Sequence, residues 1–118
     1  MRAGESDGEL VKSDPRPMDA IVAPYLEIDG VVAAALVSTE GLGVASAGGE
    51  DLDLEALAAY AASFMASAVD LAGELGTGLP SSLALDFPGR HLILAPVNED
   101  LFLLLACERG GILAGPGR

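Results

Sequence analysis

The sequence predicts one α+β domain: a five-stranded antiparallel sheet with a long helix on one face and a short N-terminal helix on the other. Three observations carry this prediction. Five short apolar segments are bounded by tight turns rich in Gly, Pro, Asn and Asp, the pattern of hairpins. One long segment repeats its apolar residues at helical spacing. The resulting order, α-β-β-α-β-β-β, joins most strands by turns too short for a parallel crossover. At 118 residues the chain has length for one domain and not for two.

Residues 1–17 are polar, aperiodic and contain Gly, Ser and two Pro, and are read as a flexible tail. The domain is placed at 18–108 and a second flexible tail at 109–118. From Met18 to Ile28 the residues Met18, Ile21, Val22, Tyr25 and Leu26 fall at helical spacing, and Pro24 makes this helix short or kinked. Asp29-Gly30 is a turn. Val31–Ser38 is apolar at nearly every position, as in a strand buried on both faces and central in its sheet. Thr39-Glu40-Gly41 reverses the chain, with Gly41 free to adopt positive φ. Leu42–Ala47 returns as a weaker, Gly-rich strand near an edge.

Gly48-Gly49-Glu50-Asp51 opens the long helix. Asp51 is the expected N-cap, with Asp53 and Glu55 in the first turn where the helix dipole favours negative charge. The helix is expected to reach Leu75, with Gly76 and Gly78 as its stop. Ser81–Phe87 alternates strictly: Leu83, Leu85 and Phe87 face one way, Ser82, Ala84 and Asp86 the other. Pro88-Gly89 turns into His91–Val97, where Pro96 sits near the strand end. Asn98-Glu99-Asp100 turns into a fully apolar last strand, Leu101–Cys107.

At 100° per residue the long helix divides into three stripes. Leu54, Leu57, Ala61, Phe64, Ala68, Leu71 and Leu75 are assigned to the sheet. Ala56, Tyr60, Ser63, Ser67, Asp70 and Glu74 form a polar stripe. Between them Ala58, Ala62, Met65, Val69, Ala72 and Gly76, flanked by Ala59, Ala66 and Gly73, form an apolar but nearly flat stripe. Small side chains let two helix axes approach closer than the usual distance. The expectation is that this stripe packs on a second copy of itself across a twofold axis. A charge at Ala62 would then split a dimer and spare the fold. The competing reading is that the first helix or a tail covers the stripe, or that Ala serves only as a helix former.

Composition narrows the class of partner. The net charge is −12, and between Arg16 and Arg109 the one Lys or Arg is Arg90. Such a surface repels nucleic-acid phosphates and anionic lipid headgroups, and suits a basic or apolar partner patch. The other reading is that the acid keeps an Ala-rich protein soluble. No uninterrupted apolar run approaches the roughly 18 residues that cross a bilayer. The first residues lack the apolar core of a secretory signal. One cysteine, Cys107, excludes an internal disulfide and suits a reducing compartment. A cytoplasmic location is therefore expected.

No catalytic constellation is legible. His91 is the one histidine and opens a strand; Cys107 closes an apolar strand and reads as core. Cys/His spacing for zinc is absent, and "GGEDLDLE" is better explained as a helix start than as a hard-metal loop. No glycine loop leads to Lys-Ser/Thr, and "GLGVASAGG" lies within a hairpin. Arg90 could anchor an acidic partner group, though a charge at a hairpin turn is ordinarily solvated. No catalytic, cofactor-binding or metal residue is assigned, and no cofactor.

The stretch "IDGVVAAALVSTEGLGVASAG" resembles the opening hairpin of Roadblock domains, the dynein light-chain type, which has bacterial members of the MglB kind. The Ala-rich helix ending in "LGTG", and then "SSLALDFPGRHLILAPVNEDLFLLLAC", resemble the remainder. The resemblance spans about Met18 to Glu108 and rests on element order with Gly30, Gly41 and Pro96-Val97. It implies a profilin/Roadblock-like fold and a homodimer built by the long helix and the third strand. The interface residues so implied are Ala58, Ala62, Met65, Ala66, Val69, Ala72 and Gly73 on the helix, with Leu83 and Leu85 on the strand. It further implies a Ras-like small GTPase as partner, activated or scaffolded without a catalytic residue from this chain. The GTPase-binding residues are unassigned.

Two further expectations follow. The family ordinarily ends in a third helix, whereas here "GGILAGPGR" is too short and too rich in Gly and Pro for one. The short first helix with a partner protein, or a higher oligomer, would then cover that face of the sheet. The alternative function is a ligand-sensing or interaction scaffold without a GTPase, which would need a cavity between sheet and helix.

Overall fold

The computed structural model of the chain describes residues 18–108. The two predicted tails, at 1–17 and 109–118, lie outside the described residues. The elements run α1 (Asp19–Val22), a 3-10 turn (Ala23–Glu27), β1 (Val31–Ser38), β2 (Gly43–Gly48), α2 (Leu54–Leu75), β3 (Leu83–Phe87), β4 (Arg90–Pro96) and β5 (Leu101–Glu108). This is the predicted order, with ends moved by one or two residues. Pro24 acts as foreseen. It sits in the first turn of the 3-10 segment, where its missing N–H costs no bond, and α1 stops before it.

The five strands form one antiparallel sheet in the order β2-β1-β5-β4-β3. β1 and β5 are central, so both faces of each are covered, and both segments are accordingly almost wholly apolar. β2 and β3 are the edges.

Alternation along the strands sends side chains to two cores. On one face Ala35, Val37, Leu94, Phe102 and Leu104 pack with Ala58, Ala61, Ala62 and Met65 of α2. On the other, Ala34, Leu36, Leu105 and Cys107 pack with Val22 of α1, and Tyr25 joins them. The Asp19 carboxylate accepts the Ser46 N–H at 3.0 Å, tying α1 to β2.

Two details of α2 differ from the sequence reading. Its N-cap is Asp53, not Asp51: the Asp53 carboxylate accepts the Ala56 N–H at 3.1 Å, the bond that defines a cap. The helix, 22 residues long, is also by length and composition apolar enough to cross a bilayer. Counting uninterrupted apolar runs overlooked this, because Ser63 and Ser67 break the runs while Ala and Val keep the average high. In this fold one stripe of α2 lies on the sheet. Gly76 ends the helix in the left-handed conformation at φ 76°, as expected of a C-terminal glycine.

Candidate protein-interaction surfaces

The way α2 lies on the sheet decides which side chains are left for a partner. The buried residues of the helix are Ala58, Ala61, Ala62, Met65 and Ala72. Four of the five belong to the flat stripe assigned above to a dimer partner. The stripe assigned to the sheet is divided: Phe64 is 47%, Leu71 58% and Leu75 69% exposed, Leu54 and Ala68 are half-buried, and Ala61 with Leu57 packs at the core. The helix is therefore rotated from the expected orientation, and the sheet takes the flat stripe.

The physical reason is the shape of the surface beneath. Phe102, Leu94, Leu104 and Val37 rise from the sheet as fully buried side chains, and a shallow helix face fits over them. The β1–β2 turn presses from the side as well. Gly41 has φ 93°, and a Cβ there would stand 3.3 Å from the Ala59 Cα. A Leu stripe turned inward would not fit between them.

Of the residues predicted for the dimer interface, Ala58, Ala62 and Met65 thus pack in the chain's own core, and Ala72 is buried as well. Ala66, Val69 and Gly73 are exposed. Leu83 and Leu85 are half-buried on β3, facing α2, and Leu83 packs against the core.

The large apolar residues of α2 form a surface of another kind. Tyr60, Phe64, Leu71 and Leu75 lie on one flank, about 100° around the helix from Met65. Beside them Leu57, Leu85, Phe87 and Leu92 complete an open apolar groove of about 390 Å³ between α2 and the β3–β4 hairpin. The groove opens next to β3, which pairs with β4 on one side and with no strand on the other. Edge N–H and C=O groups, an exposed Phe87 and protruding aromatics coincide there.

Sequence reasoning assigned Phe64 to the sheet and did not single out Phe87, and it placed Tyr60 outside without assigning it to a contact. The available signal was Tyr60, a bulky ring placed in the polar stripe four residues from Phe64. Arg90 stands at the groove rim, where its guanidinium meets the Glu108 carboxylate at 3.6 Å. It is not solvated alone, as a hairpin-turn charge would be.

His91 and Cys107 lie on the opposite face of the sheet. Asp86, His91 and Cys107 stand in register across β3, β4 and β5. Among the described residues no group of three His, Cys, Asp or Glu is close enough to hold a metal. Burial pushes the Cys107 thiol up, so it stays protonated and a poor nucleophile near neutral pH. His91 Nδ1 is buried without a hydrogen-bond partner.

Comparison with known proteins agrees with this architecture. Residues 18–106 match the Roadblock/LC7 domain family. No curated protein matches the chain. Among solved structures it is similar to MglB of Myxococcus xanthus, with 19% identity over 82% of this chain and 81% of that one, at a TM-score of 0.72. It is similar to a Roadblock/LC7 domain of Streptomyces avermitilis, with 16% identity over 81% and 84% and a TM-score of 0.72. It is also similar to an MglB solved in a tetrameric arrangement, with 22% identity over 72% and 65% and a TM-score of 0.65. The family match covers all but the last two of the described residues, and the chain belongs to the Roadblock/LC7 domain family.

Proposed function

We propose that this chain is a non-catalytic homodimeric regulator or scaffold of a Ras-like small GTPase, acting in the cytoplasm. The observation that carries the reading is the apolar groove beside the unpaired β3 edge. Tyr60, Phe64 and Phe87 are 69%, 47% and 52% exposed there, around one continuous surface. Exposed aromatics of this size, next to an open strand edge, are what a symmetric partner would cover. The dimer surface proposed is thus the Tyr60–Phe64 flank of α2 with Leu85 and Phe87, and not the Ala stripe. Family membership supports the GTPase as partner, and the acidic surface suits a partner with a basic patch.

Light scattering after gel filtration tests the dimer. The wild type is expected at twice the chain mass at micromolar concentration, and Phe64→Glu at the chain mass with unchanged circular dichroism. A monomeric wild type would overturn the dimer. Single-turnover GTP hydrolysis by a Ras-like GTPase of the same genome, with and without this protein, tests the regulation. Neither binding nor a change of rate would remove that part. Against the ligand-sensing alternative, Met65, Leu94, Phe102 and Leu104 fill the space under the centre of α2, and the space that remains beside Phe64 is an open groove.

A further inference from the structure

The other flank of α2 has a character of its own. Ala66 and Asp70 lie about 100° or more around the helix from Met65, in the sense opposite to Tyr60 and Phe64. There a trough of about 330 Å³ runs between the helix, the β1–β2 turn and the β4–β5 turn. Met65 and Val69 supply its apolar lining, together with Leu79 from the α2–β3 connection, which is 52% exposed. Asp70 and Glu99 line the same trough. Both are exposed, and the one ion pair among the described residues, Arg90–Glu108, involves neither.

The walls are held in place by the backbone. The Thr39 N–H donates to the Asp100 carbonyl at 3.0 Å, joining the two turns. The Asn98 carboxamide oxygen accepts the N–H groups of Asp100 and Leu101 at 2.7 and 2.9 Å, which shapes the turn carrying Glu99. Gly41, pressed against α2, sets how far the first turn stands from the helix.

We infer that this trough docks a basic amphipathic segment of a partner protein, a Lys or Arg whose methylenes lie on Val69 and Leu79 and whose cation meets Asp70 and Glu99. The argument is charge complementarity. The chain carries 18 acidic and 6 basic residues, and the one Lys or Arg within residues 18–108, Arg90, stands on the opposite flank of α2 and is paired. The two carboxylates of the trough therefore have no cation of the domain to meet. A long cationic side chain spans both halves of such a site, its stem on the apolar wall and its head at the rim. Partial exclusion of water by the apolar lining strengthens the attraction over that of an open surface pair. The inference uses none of the dimer surface and stands apart from the GTPase reading.

Fluorescence anisotropy with a fluorescein-labelled peptide LKKLLKKLLKKL tests it, with the same peptide bearing Glu for every Lys as control. The Lys peptide is expected to bind and the Glu peptide not. Asp70→Asn with Glu99→Gln should weaken binding about tenfold. Glu27→Gln with Glu50→Gln, which removes the same charge elsewhere, should change it less than about twofold. Both double variants alter exposed side chains, and circular dichroism verifies their fold. Absence of binding, or equal loss in both double variants, overturns the inference. A tenfold gain when Arg109 and Arg118 are changed to Gln in the full chain would identify the chain's own C-terminal residues as occupant. A change of mass by light scattering in Asp70→Asn with Glu99→Gln would identify a second copy. Either result also overturns it.

Discussion

The two apolar sides of α2 carry opposite kinds of residue to opposite ends. The inward side is Ala58, Ala61, Ala62, Met65 and Ala72, small apart from one Met, and nearly all of it is buried. The flank beside β3 is Tyr60, Phe64, Leu71 and Leu75, large and well exposed. An area argument alone would place the larger side chains inside, since each buries more apolar surface. The sheet overrides this by supplying the bulk itself, from Phe102, Leu94 and Leu104. A core needs a filled volume, and which element provides it is free. The difference teaches that small residues on a helix can mark a face pressed close against its own domain, and large ones a face awaiting a partner.

Substitutions that reverse this comparison should have graded effects. Ala58→Glu, at a position 1% exposed, buries an unpaired carboxylate where the turn at Gly41 leaves no room. It should cost more than about 4 kcal/mol and unfold the chain at room temperature by circular dichroism. A folded monomer instead would restore the small stripe as a contact between copies. Ala62→Glu should act in the same sense, in place of the clean dissociation expected from the sequence.

Next comes Phe102→Ala, which empties the sheet side of the same contact and should cost about 3–5 kcal/mol in urea unfolding. A loss under about 1 kcal/mol would mean that the helix, not the sheet, fills this core. Asp53→Ala removes the cap and should cost about 1 kcal/mol. An equal loss from Asp51→Ala would return the cap to the position first assigned.

Phe64→Glu, on the exposed flank, should change the stability of the subunit fold by less than about 1 kcal/mol, because about half of its side chain is outside the subunit's own packing. Its effect should appear in the mass measurement described above. The smallest effect concerns Cys107. Its thiol holds its proton to higher pH when folded than when unfolded, so the folded state binds more protons above the ordinary thiol pKa. Stability should therefore decline slightly as pH rises above about 9. A rise in stability over that range would contradict a buried, neutral thiol.

Much of the molecule was determined by the sequence alone. Unbroken apolar runs at Val31–Ser38 and Leu101–Cys107 marked the two central strands, because only a strand covered on both faces tolerates them. Alternation at Leu83, Leu85 and Phe87 gave the face that β3 turns toward α2, since the side-chain period of a strand is two. Pro24, Gly30, Gly41 and Gly76 ended or turned elements through local backbone preferences that no distant contact alters.

What the tertiary structure decided was the rotation of α2, and with it which side chains of the helix stand exposed. Helical periodicity identifies an apolar arc, but the apolar arc of this helix is wide enough to hold two stripes, and a period cannot choose between them. The choice fell to shape: the height of Phe102 and its neighbours, and the close approach of Gly41. Those are properties of residues distant in sequence, and they meet the helix only after the sheet has formed.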